Sequence, residues 1–294
     1  MNFRTDLAIE QTERFQALPN GVKQDVYKSG NVEVTRVCIS TNQAAQQLGK
    51  PEGTYITIEV PPFYASVENA DEQTQAIADE LAKMLPRQGL VLIVGLGNKH
   101  ITPDAIGPLT IDGILATRHI SPEIAKASGL ENIRSVAALA PGVLGQTGIE
   151  TAEIIHSITN SIKPAAVIVI DALASRSVDR LGCTVQLADS GISPGSGVQN
   201  KRKELSKNTL GVPVISMGIP TVVDALTLSA DVLASGGADA DSIERLLPKN
   251  GEQMMVTPRE IDLLVDRAAK TLSLAINKAL QPQLSQEDIV YLVS

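Results

Sequence analysis

The chain has 294 residues, 43% of them hydrophobic, only 2% aromatic, and a formal net charge of −8. That length supports a full hydrophobic core, and the acidic surface argues against direct binding to a nucleic-acid backbone. No run of about 18 apolar residues occurs and residues 1–6 carry no hydrophobic signal core, so no membrane span and a cytoplasmic location are expected.

A short polar arm leads into strands predicted over 32–39 and 54–60, which alternate and are rich in β-branched residues. Residues 71–85 place Ile77, Leu81, Met84 and Leu85 on one helical face, and Pro86 stops the helix. Leu90, Val91, Leu92, Ile93 and Val94 run without alternation, as a strand covered on both faces does. That strand enters a loop containing Gly95, Gly97, Asn98 and His100 and ending Thr102-Pro103-Asp104. Thr102 reads as an N-cap and Pro103 as the first helical residue, which places Asp104 in a first helical turn.

A strand over 133–140 and a helix over 150–162 follow. Val167-Ile168-Val169-Ile170 is a second doubly covered strand, running straight into Asp171. A third spans 213–217, followed by a helix over 221–234. Residues 176–212 hold Gly182, Gly191, Gly195, Gly197 and the basic run Lys201-Arg202-Lys203, and read as a loop-rich β excursion near the site. The last helix, 258–280, is predicted to start on a capping box, Thr257-Pro258-Arg259-Glu260. This alternation predicts an α/β protein, a three-layer αβα arrangement of one mainly parallel sheet with helices on both faces.

Ligands in open α/β sheets bind outside the carboxyl ends of the strands. Asp104 and Asp171 both arrive there, and a carboxylate ending an apolar strand is costly without a partner or a task. Capping by backbone donors is the ordinary alternative for each. Held close together, two such acids would share a proton, one ionised to activate water and one protonated to donate.

The competing chemistries are weaker. Gly95 and Gly97 start a dinucleotide fingerprint, but His100 stands where its third glycine belongs, and no Walker lysine is present. His100, His119 and His156 form no His-Glu-x-x-His pair, although a metal held by His100 with the two aspartates remains open. Cys38 and Cys183 lie in apolar alternating stretches and read as reduced core thiols. Ser193 is followed by proline rather than a helix, so it is no nucleophile elbow.

At several segments the chain resembles the germination proteases of endospore-forming bacteria. They are Arg4-Thr5-Asp6-Leu7-Ala8-Ile9-Glu10, Gly95-Leu96-Gly97-Asn98, Thr102-Pro103-Asp104, Pro141-Gly142-Val143 through Thr147-Gly148, Asp171-Ala172-Leu173, Asp189-Ser190-Gly191 through Lys201, and Ser216 through Asp224. A more distant likeness is to hydrogenase maturation proteases. The resemblance implies an endopeptidase for small acid-soluble spore proteins in the spore core. It also implies a homotetramer made as a self-processing zymogen, with Asp104 and Asp171 as the essential acids; it gives no residue-level warrant for a metal, so no cofactor is expected and a metal is left open. Residues 1–6 would then be a propeptide and 7–294 a single peptidase domain.

Substrates of that family are cut between an acidic and a hydrophobic residue followed by alanine. Asp6-Leu7-Ala8 repeats this pattern, so self-cleavage between Asp6 and Leu7 is expected. Gly97, Asn98 and His100 are candidates for substrate contact, and Lys201, Arg202 and Lys203 for attracting acidic flanks. A maturation-type processing protease and a non-catalytic oligomeric binding module are the alternatives, and neither has a reason to carry a substrate-like arm.

Overall fold

Parity along the strands sets the layers. A computed structural model describes residues 4–65, 70–127, 129–130, 132–193, 203–237, 239, 242 and 254–293. In chain order the elements are α1 (Ala8–Thr12), β1 (Val22–Ser29), β2 (Val32–Ile39), α2 (Asn42–Leu48), β3 (Gly53–Glu59), α3 (Ala70–Met84) and β4 (Val91–Gly95). A 3₁₀ turn (Thr102–Asp104), α4 (Ile106–Asp112), α5 (Pro122–Ala127), β5 (Val136–Leu139), α6 (Leu144–Thr147), α7 (Thr151–Ile162) and β6 (Ala166–Ser175) follow. The chain then forms a second 3₁₀ turn (Val178–Arg180), β7 (Thr184–Ala188), α8 (Lys207–Leu210), β8 (Val214–Asp224) and α9 (Ala225–Ser235). It closes with β9 (Met255–Val256), α10 (Ile261–Leu280) and α11 (Gln286–Val293).

One sheet runs in the order β1-β2-β3-β7-β8-β6-β4-β5, with β9 pairing the far end of β8. Ile93, Ile168, Ile170 and Met217 face one way, against Ile77 of α3, Ile106 of α4, and Leu264, Leu272 and Ile276 of α10. Leu92, Val94, Val167, Val169 and Val214 face the other way, against Ile155 of α7 and Leu210 of α8. Every residue of β4 is buried, which explains its unbroken apolar run. The α/β reading holds, with helices on both faces of the sheet.

The parallel part is narrower than expected. β5, β4, β6 and β8 are parallel, whereas β1, β2, β3 and β7 continue the sheet in antiparallel fashion. β7 comes from the stretch read as a loop-rich excursion, yet it stands between β3 and β8 and joins the two halves. Three local expectations are also corrected. Thr102 starts a 3₁₀ turn rather than capping α4, which begins at Ile106 after Ala105. The segment 221–224 continues β8, so the next helix starts at Ala225, capped by the Asp224 side chain on Thr227 N. The box at Thr257 does not form: α10 begins at Ile261 with no side-chain cap.

β6 outruns β4. Gly95 is the last residue of β4 and lies opposite Ile170, so Asp171 is the first residue of β6 beyond that neighbour. Asp171 is therefore mid-strand rather than at a strand end. By parity it shares the face of Val167 and Val169. The glycine loop leaves β4 at this point, and Gly95 and Gly107 pack so closely that a Cβ on Gly95 would lie 2.2 Å from the Gly107 carbonyl oxygen.

Candidate active site

Asp104 and Asp171 line the same cleft, a cavity of about 600 Å³ over the ends of β4 and β6. Each is fixed by a different element. The Asp104 carboxylate accepts the Asn98 backbone N–H at Oδ2, 2.8 Å. Gly97 allows that loop geometry: its φ is +111°, and a Cβ there would lie 2.0 Å from the Asp104 carbonyl oxygen. The turn is tied down from β8, where the Thr221 hydroxyl donates to the Pro103 carbonyl at 2.7 Å. Thr221 falls where the β6–β8 register shifts beside Leu173 and Ala174, a bulge that re-aims a side chain next to the cleft. Asp171 is buried in β6, opposite Gly218 of β8, and its Oδ1 accepts the Ala172 N–H at 3.0 Å.

The N-terminal arm is seated in this cleft. Asp6 lines it. Beyond the end of β4, Ala174 of β6 takes the Asp6 N–H on its carbonyl and gives its own N–H to Asp6 Oδ2, both at 2.8 Å. The Asp6 carbonyl oxygen accepts from Lys50 Nζ and from Gln186 Nε2, each at 2.9 Å. Leu7 is fully buried, packed with Ile9 and Leu173 and against Ile192. Its N–H donates to the Thr5 hydroxyl at 3.0 Å, and the Ala8 N–H donates to Gln186 Oε1 at 2.7 Å.

Glu10 anchors the far side of the arm. It is 1% exposed. Its carboxylate accepts the Arg176 N–H at 2.7 Å, the Ser177 N–H at 3.1 Å and the Thr5 hydroxyl, and Arg180 Nε lies 3.6 Å away. Arg4 adds an outer clasp, donating to Asp224 Oδ2 at 3.1 Å.

The remaining expected residues separate. Asn98 orients Asp104 through its backbone, while its side-chain oxygen accepts from His100 N at 3.0 Å and Gln146 Nε2 at 2.8 Å. His100 is exposed and does not line the cleft. Lys203 pairs with Glu153 of α7 at 3.2 Å, and Lys201 and Arg202 lie outside the described residues. Among the described residues no three His, Cys, Asp or Glu side chains group to hold a metal ion. Burial, with Asp179 and Glu59 nearby, pushes the Cys183 thiol above its ordinary pKa, the opposite of an activated nucleophile.

Sequence reasoning missed Lys50, Gln186, Arg176 and Arg180. Only Gln186 carried a local signal: it is the amide on a fully buried strand, and a buried amide needs partners.

A profile of the germination protease family (Peptidase A25) matches residues 4–235. Germination proteases of Clostridium tetani and Clostridium acetobutylicum are 41% and 40% identical to the chain. The first alignment covers 98% of each chain and the second 97% of each. Among solved structures, a NiFe hydrogenase maturation protease from Thermococcus kodakarensis aligns at TM-score 0.38 and 16% identity, over 69% of this chain and 99% of its own. Among the described residues no helix is long and apolar enough to cross a membrane.

Proposed function

The chain belongs to the germination protease family and is a protease, and from that premise we propose that it is a zymogen that cuts its own Asp6–Leu7 bond and then initiates the breakdown of small acid-soluble spore proteins. In this reading Asp104 and Asp171 are the dyad and residues 1–6 the propeptide. The active form is a homotetramer in the spore core and uses no metal. One carboxylate takes a proton from water as the water oxygen adds to the Asp6 carbonyl carbon. The protonated partner gives its proton to the Leu7 nitrogen as the C–N bond breaks.

The observation that carries the reading is the seat of Asp6. Its carbonyl oxygen is hydrogen-bonded in the cleft that both aspartates line, and the next side chain, Leu7, is buried in an apolar pocket. The arm thereby acts as a template for substrate. An acidic residue pairs with Ala174, a hydrophobic residue fills the site of Leu173 and Ile192, and a glutamate three residues further on meets Arg176, Ser177 and Arg180.

Intact-mass measurement of the purified full chain over time tests this. The expected product begins at Leu7. A product beginning at another residue, or a chain that never processes under any condition in which it degrades an acidic-hydrophobic-Ala peptide, contradicts it.

A further inference from the structure

We propose that Lys50 and Gln186 form the carbonyl cradle of this protease, the two donors that take up negative charge on the scissile carbonyl oxygen. The inference rests on the reading of Asp6–Leu7 as a bond this cleft cuts. It names residues that act in the same step as the aspartates but on a different atom.

The geometry is specific to the peptide group. Both contacts at 2.9 Å are to the main-chain oxygen of Asp6, so they would hold the equivalent carbonyl of any substrate, whatever its side chain. A carbonyl oxygen has two lone-pair sites, and these two donors suffice to fill them. Gln186 also reaches across the bond: Nε2 donates on the acyl side, and Oε1 accepts Ala8 N–H on the amine side at 2.7 Å. That second bond fixes which way the amide points.

Lys50 is equally fixed at its backbone. It follows Gly49, the left-handed residue that ends α2, and its N–H returns to the Ala45 carbonyl at 3.1 Å. The next residue is held as well, since the Tyr55 hydroxyl donates to the Pro51 carbonyl at 2.8 Å. Burial lowers the ammonium's pKa, while the Asp6 and Glu10 carboxylates favour its charged form. A desolvated, preorganised cation beside a developing oxyanion is worth far more than the same cation in water.

The cradle divides the labour of the dyad. Water adds to the Asp6 carbonyl carbon, the C=O π pair moves onto oxygen, and the water proton passes to the ionised carboxylate. Lys50 and Gln186 hold the resulting oxyanion, so the acid's proton is kept for the leaving Leu7 nitrogen. Collapse of the oxyanion breaks the C–N bond and leaves a carboxyl on Asp6 and an amine on Leu7.

The test compares self-cleavage of the full-length parent with Lys50→Met, Lys50→Gln, Lys50→Arg and Asp104→Asn. The rate is read as Leu7-starting product, and arm docking as hydrogen-exchange protection of the Asp6 and Ala8 amides before cleavage. Lys50→Met is expected to slow cleavage about 10²–10³-fold, as loss of one oxyanion donor does, with that protection kept. Lys50→Gln, which retains a neutral donor and also serves if Lys50→Met fails to fold, is expected to fall between Lys50→Met and the parent, and Lys50→Arg to recover part of the rate. A folded Lys50→Met that cleaves like the parent overturns the cradle, as does a rate that falls only in step with lost protection, which would make Lys50 a latch for the arm. If the parent itself yields no Leu7 product, the underlying protease reading of this bond fails as well. If the parent cleaves and Asp104→Asn does not, a Lys50→Met result counts against the cradle alone.

Discussion

Replacing Glu10 with alanine should release the arm without unfolding the protein. Glu10 sits at 1% exposure with two backbone donors on its carboxylate, Arg176 N–H at 2.7 Å and Ser177 N–H at 3.1 Å. Arg180 keeps other partners, with Nη2 2.6 Å from Glu13 and Nη1 3.5 Å from Glu59, so the loss falls on those two N–H groups and on the Thr5 hydroxyl, which can turn to other acceptors. A buried donor left without its acceptor costs about 1–3 kcal/mol. Water entering the vacated space recovers part of this, so docking should weaken by roughly 3 kcal/mol, about a hundredfold in the fraction of open arm. Hydrogen exchange read at the Leu7 and Ala8 amides should show protection falling about that much, while strands β4 and β6 keep theirs. Self-cleavage should slow in parallel, because the bond is seated less often. Glu10→Gln keeps one acceptor and should lose about tenfold. Unchanged protection at Leu7 and Ala8 in Glu10→Ala would refute the anchoring role.

Three further outcomes are expected. Gly97→Ala introduces a Cβ 2.0 Å from the Asp104 carbonyl oxygen at a φ of +111°. It should cost roughly 1–3 kcal/mol in stability and slow self-cleavage at least tenfold, and a melting point and rate equal to the parent's would contradict this. The half-buried Lys50 has a folded pKa below its free value of 10.5, because the cleft desolvates its ammonium. Between those two values the unfolded chain binds more protons, so stability from this group rises with pH there. The titratable groups lining its cleft are Asp6, Tyr55, Asp104, Asp171 and Glu204, with Glu10 also acting on it. Tyr27 and Tyr55, pushed up to about 12, work in the opposite sense above pH 10, but they are common to parent and Lys50→Met. The difference in urea midpoint between those two proteins should therefore shift in the parent's favour as pH rises, and a flat difference counts against the assignment. Finally, exhaustive chelation should leave self-cleavage intact, and a loss restored by added divalent metal would contradict the metal-free dyad.

The doubly covered strands were readable because burial on both faces removes alternation, as in Val91 through Val94 and Val167 through Ile170. Asp171 stood out for the same reason, since a carboxylate directly after such a run is conspicuous, whereas Asp104 was marked by the Thr102-Pro103 turn that ends the glycine loop. The antiparallel half was harder. β1 has seven of its eight positions exposed or half-buried, with Val22 alone buried, and its pattern is mostly polar. β8 continues through Pro220, which lies opposite Leu173 at the bulge, so the strand runs on past the 213–217 expected and takes up the start of the expected helix. Lys50 and Gln186 reach Asp6 across 44 and 180 residues, and no local spacing could join them. The arm itself was legible as a substrate-like string, but its burial was not, because Leu7 is covered by Leu173 and Ile192 from distant parts of the chain.

The most direct test removes each carboxylate in turn. Asp104→Asn and Asp171→Asn keep the shape of the cleft, so the arm should stay docked, with Asp6 and Ala8 amides protected as in the parent. The account predicts that each variant alone loses Leu7-starting product by about 10²–10⁴-fold, the range a general acid or base contributes. Self-processing at the parental rate in either folded variant would take that aspartate out of the reaction and leave the two-carboxylate mechanism without support.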